Sequence, residues 1–190
     1  MKLELKHLSP YLPHKLQVSI NKNGWEYMIS GNSNIAELKG LYGDDICLLY
    51  QGNEGFDLDF ESFELILRPK SDLIKEIEIN GKKFVPIIEL AKIADCHFKY
   101  IPEVKKVIEY EEEGCNVLRV IYKDDRYDMF EISWGIESTF FDGKNDGFMF
   151  TLNDTYACHN IGTIYQKLFK WHFDVFGLIE KGLAIDINTL

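Results

Sequence analysis

The residues best placed to do chemistry are Asp57, Asp59 and Glu61, which alternate with Phe56, Leu58 and Phe60. In an extended strand, alternate side chains share one sheet face, so this spacing predicts a row of three carboxylates. Such a row offers two kinds of chemistry. Its oxygens can hold a hard cation such as Mg²⁺, as in metal-dependent enzymes that cut nucleic acid. It can also present negative charge to the basic groove of a protein partner. The plain alternative is a solvated strand face whose apolar neighbours turn to the core. The surroundings are acidic: from Gly40 to Leu67 there are seven Asp and Glu residues and no Lys or Arg. Neighbouring carboxylates in a sheet repel one another. A cation or a basic partner would relieve that cost, as water and salt also do. Asp57, Asp59 and Glu61 are therefore the expected partner-binding residues, with Asp44 joining Asp57 and Asp59 if the chemistry is metal-dependent.

Other patterns carry less. Tyr42-Gly43-Asp44-Asp45 resembles the aspartate-bearing hairpin of some polymerases, but 190 residues leave no room for palm, fingers and thumb. It reads as a loop before a strand at Ile46. The stretch 142–147 begins like a calcium loop, yet Lys144 stands where a ligand is needed and Asn153 where the loop's last Glu belongs, so it reads as a hairpin turn. Cys96-His97 and Cys158-His159 repeat a dipeptide whose side chains point opposite ways on a strand, a poor chelate. No nucleophile elbow, phosphate-binding glycine loop or H-E-x-x-H motif is present. No catalytic residue, metal ligand or cofactor is assigned.

The elements that must position the acidic row read mainly as strands. Leu16, Val18 and Ile20 alternate with polar residues, and after the turn-forming 21–24 so do Trp25, Tyr27 and Ile29, a hairpin. A second hairpin joins 46–50 to 56–60, with 63–67 extending it past a bulge near Ser62. Ser71 or Asp72 is placed to cap a short helix through Leu73, Ile74 and Ile77. Asn80-Gly81 signals a tight turn, and Pro86 suits the first turn of a helix over 87–94. Residues 99–113 fit either helix or strand. Strands resume at 117–122, 127–134, 139–141 and 148–152. At the C-terminus Ile161, Ile164, Tyr165, Leu168, Val175, Phe176 and Ile179 recur at helical spacing, opposite Thr163, Gln166, Lys167, Lys170 and Asp174. This predicts one long helix over 161–182, with His172 on its apolar side and Gly182 as its left-handed cap. The fold class is α+β, with antiparallel meanders, short connecting helices and the long C-terminal helix packed on a sheet. No linker or repeat divides the chain, which is expected to form a single domain, 1–190.

Composition narrows the function. With 46 % hydrophobic and 14 % aromatic residues the chain has a core to bury. A net charge of −10 disfavours nucleic acid and anionic membranes and suits a soluble protein with a basic partner. The four cysteines are scattered and read as reduced thiols. Neither a leader's apolar core nor a run of ~20 apolar residues is present, so a cytoplasmic location is expected.

The segments MKLELKHLSPYLP (1–13), LRPKSDLIKEI (67–77) and LFKWHFDVFGLIEKGLAID (168–186) together resemble small uncharacterised proteins encoded by phages and prophages of Bacteroidetes. The resemblance implies a genetic setting rather than a catalytic residue. Phage genes of this size often encode host-directed inhibitors, recombination accessories or assembly helpers. The reading is a non-enzymatic phage or prophage accessory protein that binds a host or phage protein through its acidic face. The alternatives are a carboxylate-based metal enzyme acting on nucleic acid, and a structural oligomer subunit with Trp171 or Phe173 at its interface.

Overall fold

A computed structural model describes residues 2–21, 34–42, 46–51, 54–94, 103–112, 114–123, 129–135, 148–152 and 160–190. The chain forms two compact units, Met1–Pro69 with Leu168–Leu190, and Lys70–Lys167. Both carry mostly antiparallel sheet with short helices, as α+β patterning implies.

The first unit opens with helix α1 (Leu5–Leu8) and a 3-10 segment (Ser9–His14). Strands β1 (Gln17–Ile20), β2 (Ile35–Tyr42), β3 (Ile46–Gln51), β4 (Glu54–Asp59) and β5 (Phe63–Leu67) follow. The unit resumes at the end of a helix, Ile161–Lys170, and finishes with a strand at Ala184–Asp186. Strands β1 to β4 form an antiparallel meander, β5 pairs antiparallel with β1, and the C-terminal strand runs parallel to β5. Alternate residues such as Val18, Ile20, Leu38, Leu49, Leu58 and Leu65 turn inward onto Leu8, Tyr11, Leu16 and Leu178. Strand β5 does not extend β4 as expected. A 3-10 turn, Phe60–Ser62, separates them. Asn21 at the end of β1 holds that turn: its backbone N–H donates to the Ser62 carbonyl (3.0 Å) and its Nδ2 to the Glu61 carbonyl (2.6 Å).

The second unit begins with a 3-10 segment, Lys70–Ile74. The helix expected here does not form, because Ile77 is taken by β6 (Ile77–Ile79), which pairs with β7 (Lys82–Phe84). Asn80 and Gly81 between them both have positive φ (53° and 75°), the tight turn that Asn-Gly favours. Helix α2 (Pro86–Ala94) starts at its proline and buries Ile87, Leu90, Ala91 and Ala94. The ambiguous stretch is strand β8 (Val104–Glu112), which leads into the antiparallel meander β9 (Cys115–Tyr122), β10 (Phe130–Gly135) and β11 (Met149–Leu152).

The long C-terminal helix is not formed. Helix α3 spans only Ile161–Lys170, and β12 (Ala184–Asp186) follows an irregular segment. The helix stops where His172 enters the left-handed region (φ 58°). The His172 N–H donates to the Phe169 carbonyl and the Phe173 N–H to the Leu168 carbonyl (3.0 Å each), the paired bonds that close a helix end. The chain then bridges to β5: the Arg68 N–H donates to the His172 carbonyl (2.7 Å) and the Asp174 N–H to the Arg68 carbonyl (2.8 Å). Tertiary hydrogen bonds thus replace helical ones. Phe173, Val175 and Leu178 are all buried, which a single helical face cannot achieve so close to the end of β5. Asp174, expected on the exposed polar face, is 2 % exposed, and its carboxylate accepts the N–H groups of Leu178 (2.8 Å) and Ile179 (2.9 Å). Gly182 does adopt the left-handed conformation (φ 67°), but it closes the turn of residues 178–182.

Candidate functional site

Strand β4 behaves as its alternation predicts: Phe56 and Leu58 are buried while Asp57 and Asp59 are exposed. In register Asp57 faces Leu48 and Asp59 faces Ile46 on β3. The six-stranded order ends at β4, so among the described residues its far edge is unpaired. Glu61 leaves the row, because the turn at Phe60–Ser62 breaks the two-residue period before it. It remains exposed and forms an ion pair with Lys2. The Lys2 ammonium donates a hydrogen bond to Glu61, which holds the Glu61 carboxyl below its ordinary range and raises the lysine. Both side chains are mostly in water, so the pair contributes charge pattern rather than stability.

Asp59, Glu61 and Glu64 rim a groove of about 670 Å³, together with Lys2 and Asn21. Leu3, Phe60, Phe63 and Leu183 also line it and provide apolar surface. Phe60 and Phe63 meet edge to face with ring centroids 6.4 Å apart, fixing that side. Carboxylates over apolar lining suit a lysine or arginine side chain, whose stem is apolar and whose tip is cationic. Asp57 lies along β4 outside the groove lining. Among the described residues no three His, Cys, Asp or Glu side chains come together as metal ligands. Asp44, the 142–147 loop and both Cys-His dipeptides lie outside the described residues.

Trp171 and Phe173, placed by the oligomer alternative at an interface, are 7 % and 0 % exposed and serve the interior instead. Cys47 is buried, which pushes its thiol up to about 12 and keeps it protonated and unreactive.

Two polar constellations join residues that sequence spacing does not bring together. In the first unit the Tyr11 hydroxyl donates to the Phe173 carbonyl (2.7 Å), and His172 Nε2 donates to the His14 carbonyl (2.7 Å). In the second unit Arg119, Glu131 and Thr151 share one row across β9, β10 and β11. Glu131 accepts from Arg119 Nε, from Thr151 Oγ1 (3.1 Å) and from the Tyr110 hydroxyl (2.9 Å). Arg119 also lies over the Tyr110 ring, 5.1 Å from its centroid. Burial and the Glu131 charge push the Tyr110 hydroxyl up to about 12. This carboxylate is occupied by structural partners. Alternation of Arg119 and Glu131 within their own strands hinted at one face, but only register brings them together.

Among the described residues no helix is long and apolar enough to cross a membrane. The chain matches no family model, no curated protein and no solved structure.

Proposed function

We propose that this chain is a non-enzymatic accessory protein of phage or prophage origin that works in the cytoplasm by binding a basic protein partner through Asp57, Asp59 and Glu61. One observation carries the reading: two carboxylates stand exposed on the last strand of the sheet, and a third adjoins them beside a groove with apolar lining. A basic partner gains the attraction of that cluster and can bury an aliphatic stem beneath it. The net charge of −10 adds long-range steering toward such a partner.

The test is a tagged pull-down from bacterial host lysate with wild type and the triple variant Asp57→Asn, Asp59→Asn, Glu61→Gln. Wild type should retain one host protein that the variant loses, and its retention should weaken as salt rises. Equal capture by both versions, or by neither, counts against this surface. A melting temperature that rises with Mn²⁺ in wild type alone would favour the metal-enzyme alternative.

A further inference from the structure

Helix α1 is fastened by a side chain that works only while neutral. His7 is the third residue of α1, and its Nδ1 accepts the backbone N–H of Glu4 at 3.0 Å. That is the reciprocal half of a capping box, a place that Glu or Gln usually fills. The His7 residue is 2 % exposed, and its ring meets Phe176 edge-on at 5.4 Å. Phe176 belongs to the segment after α3, and its carbonyl accepts Lys181 Nζ at 2.9 Å. The charged groups facing His7 are Glu4 and Lys6 from its own end of the chain and Lys181 from that segment.

A second proton on imidazole converts Nδ1 from acceptor to donor. Donor would then face donor at Glu4, and a buried positive charge would sit near Lys6 and Lys181. We propose that His7 is a proton-operated clasp, whose protonation breaks the α1 cap, frees the His7 ring from Phe176 and takes Lys2 away from Glu61. Burial and the two lysines already disfavour the cation more than Glu4 favours it, so the folded clasp holds at neutral pH and yields on acidification. Freed of Lys2, Glu61 becomes one more uncompensated carboxylate beside Asp59. That consequence for binding rests on the function proposed above, whereas the clasp rests on His7, Glu4 and Phe176 alone.

NMR on the intact chain between about pH 7.5 and about pH 5 tests it, since this interval spans the ordinary histidine titration. The His7 ring should titrate below its ordinary value of 6.5. Amide protection over residues 4–8, corrected for intrinsic exchange, should fall about fivefold or more on the same curve, the loss expected for one helix cap. His7→Gln supplies an acceptor that does not titrate and should keep its protection throughout. A His7 ring that titrates at or above 6.5 would overturn the clasp even if the variant fails to fold. Protection that persists while His7 titrates, or that is lost equally in His7→Gln, would overturn it too. So would simultaneous loss at Leu49 in the sheet, since that is global unfolding. A partner that binds equally at both pH values would leave the clasp intact and count only against its link to the acidic surface.

Discussion

His172 shows how one residue can end a helix that its neighbours would continue. Its left-handed backbone (φ 58°) costs an L-residue roughly 1–2 kcal/mol relative to the right-handed form. Beside the backbone bonds to Phe169 and Arg68, His172 Nε2 donates to the His14 carbonyl, which can only accept, and so adds to the hold on this conformation. His172→Leu keeps the strain and leaves that carbonyl without this donor, so it should destabilise by about 2 kcal/mol. His172→Asn should cost less, because Asn tolerates the left-handed region. Urea midpoints at constant m-value decide between these outcomes. The exposure of Asp57 and Asp59 was legible from period two. The burial of Asp174 was not, because it follows from bonds to Leu178 and Ile179 that exist only once the helix has stopped.

At the scale of elements, the sequence pattern located β1, β3, β4, β5, β9, β10 and β11, whereas the strands expected at 25–29 and 139–141 lie outside the described residues. Strand β2 is not legible in the sequence because its register shifts between Leu38 and Gly40. Leu38 faces Leu49 and Leu41 faces Cys47, so two residues three apart share a face and the sequence pattern looks irregular. The C-terminal helix failed for the opposite reason: a helical period was present, but Arg68 offered the backbone better partners. Glycines test the same sheets. In β10, Gly135 has φ 126°, and a Cβ there would lie 2.9 Å from the Gly114 carbonyl oxygen and 3.2 Å from Cys115 Cα. Gly135→Ala should therefore cost about 3 kcal/mol, since backbone must move and the conformation is strained. In β4, the nearest atoms to a Cβ on Gly55 all belong to the Tyr50 side chain, the first at 2.9 Å, and that side chain is exposed enough to swing aside. Gly55→Ala should cost under ~1 kcal/mol, within the ordinary range for surface changes. Thermal melts of the two variants should differ accordingly.

Across the whole molecule, His7, His14 and His172 all belong to the first unit and all have titrations lowered, burial being the largest cause in each. An unfolded chain then binds more protons than the folded one as pH falls below the ordinary value of 6.5. Stability is full above that value and is lost as pH drops through it toward the lowered folded values. The melting temperature should fall between about pH 7 and about pH 5, by roughly 2–4 °C for each ~1 kcal/mol lost at this chain length. Calorimetry across that range, repeated on His7→Gln with His172→Asn, should show a flatter profile in the double variant. The chain's α+β character was legible from composition and patterning. The return of residues 168–190 to the first unit was not, because no linker or change of composition marks it.

The parallel pairing of β12 with β5 has a consequence for how the molecule is made. Translation delivers β1 to β5 early, then all of Lys70–Lys167, and only afterwards the segment that completes the first sheet. Until then the Tyr11 hydroxyl lacks the Phe173 carbonyl, and β5 lacks its outer neighbour. The nascent first unit must therefore wait with an open edge, a site for wrong pairing, while the second unit can condense as it leaves the ribosome.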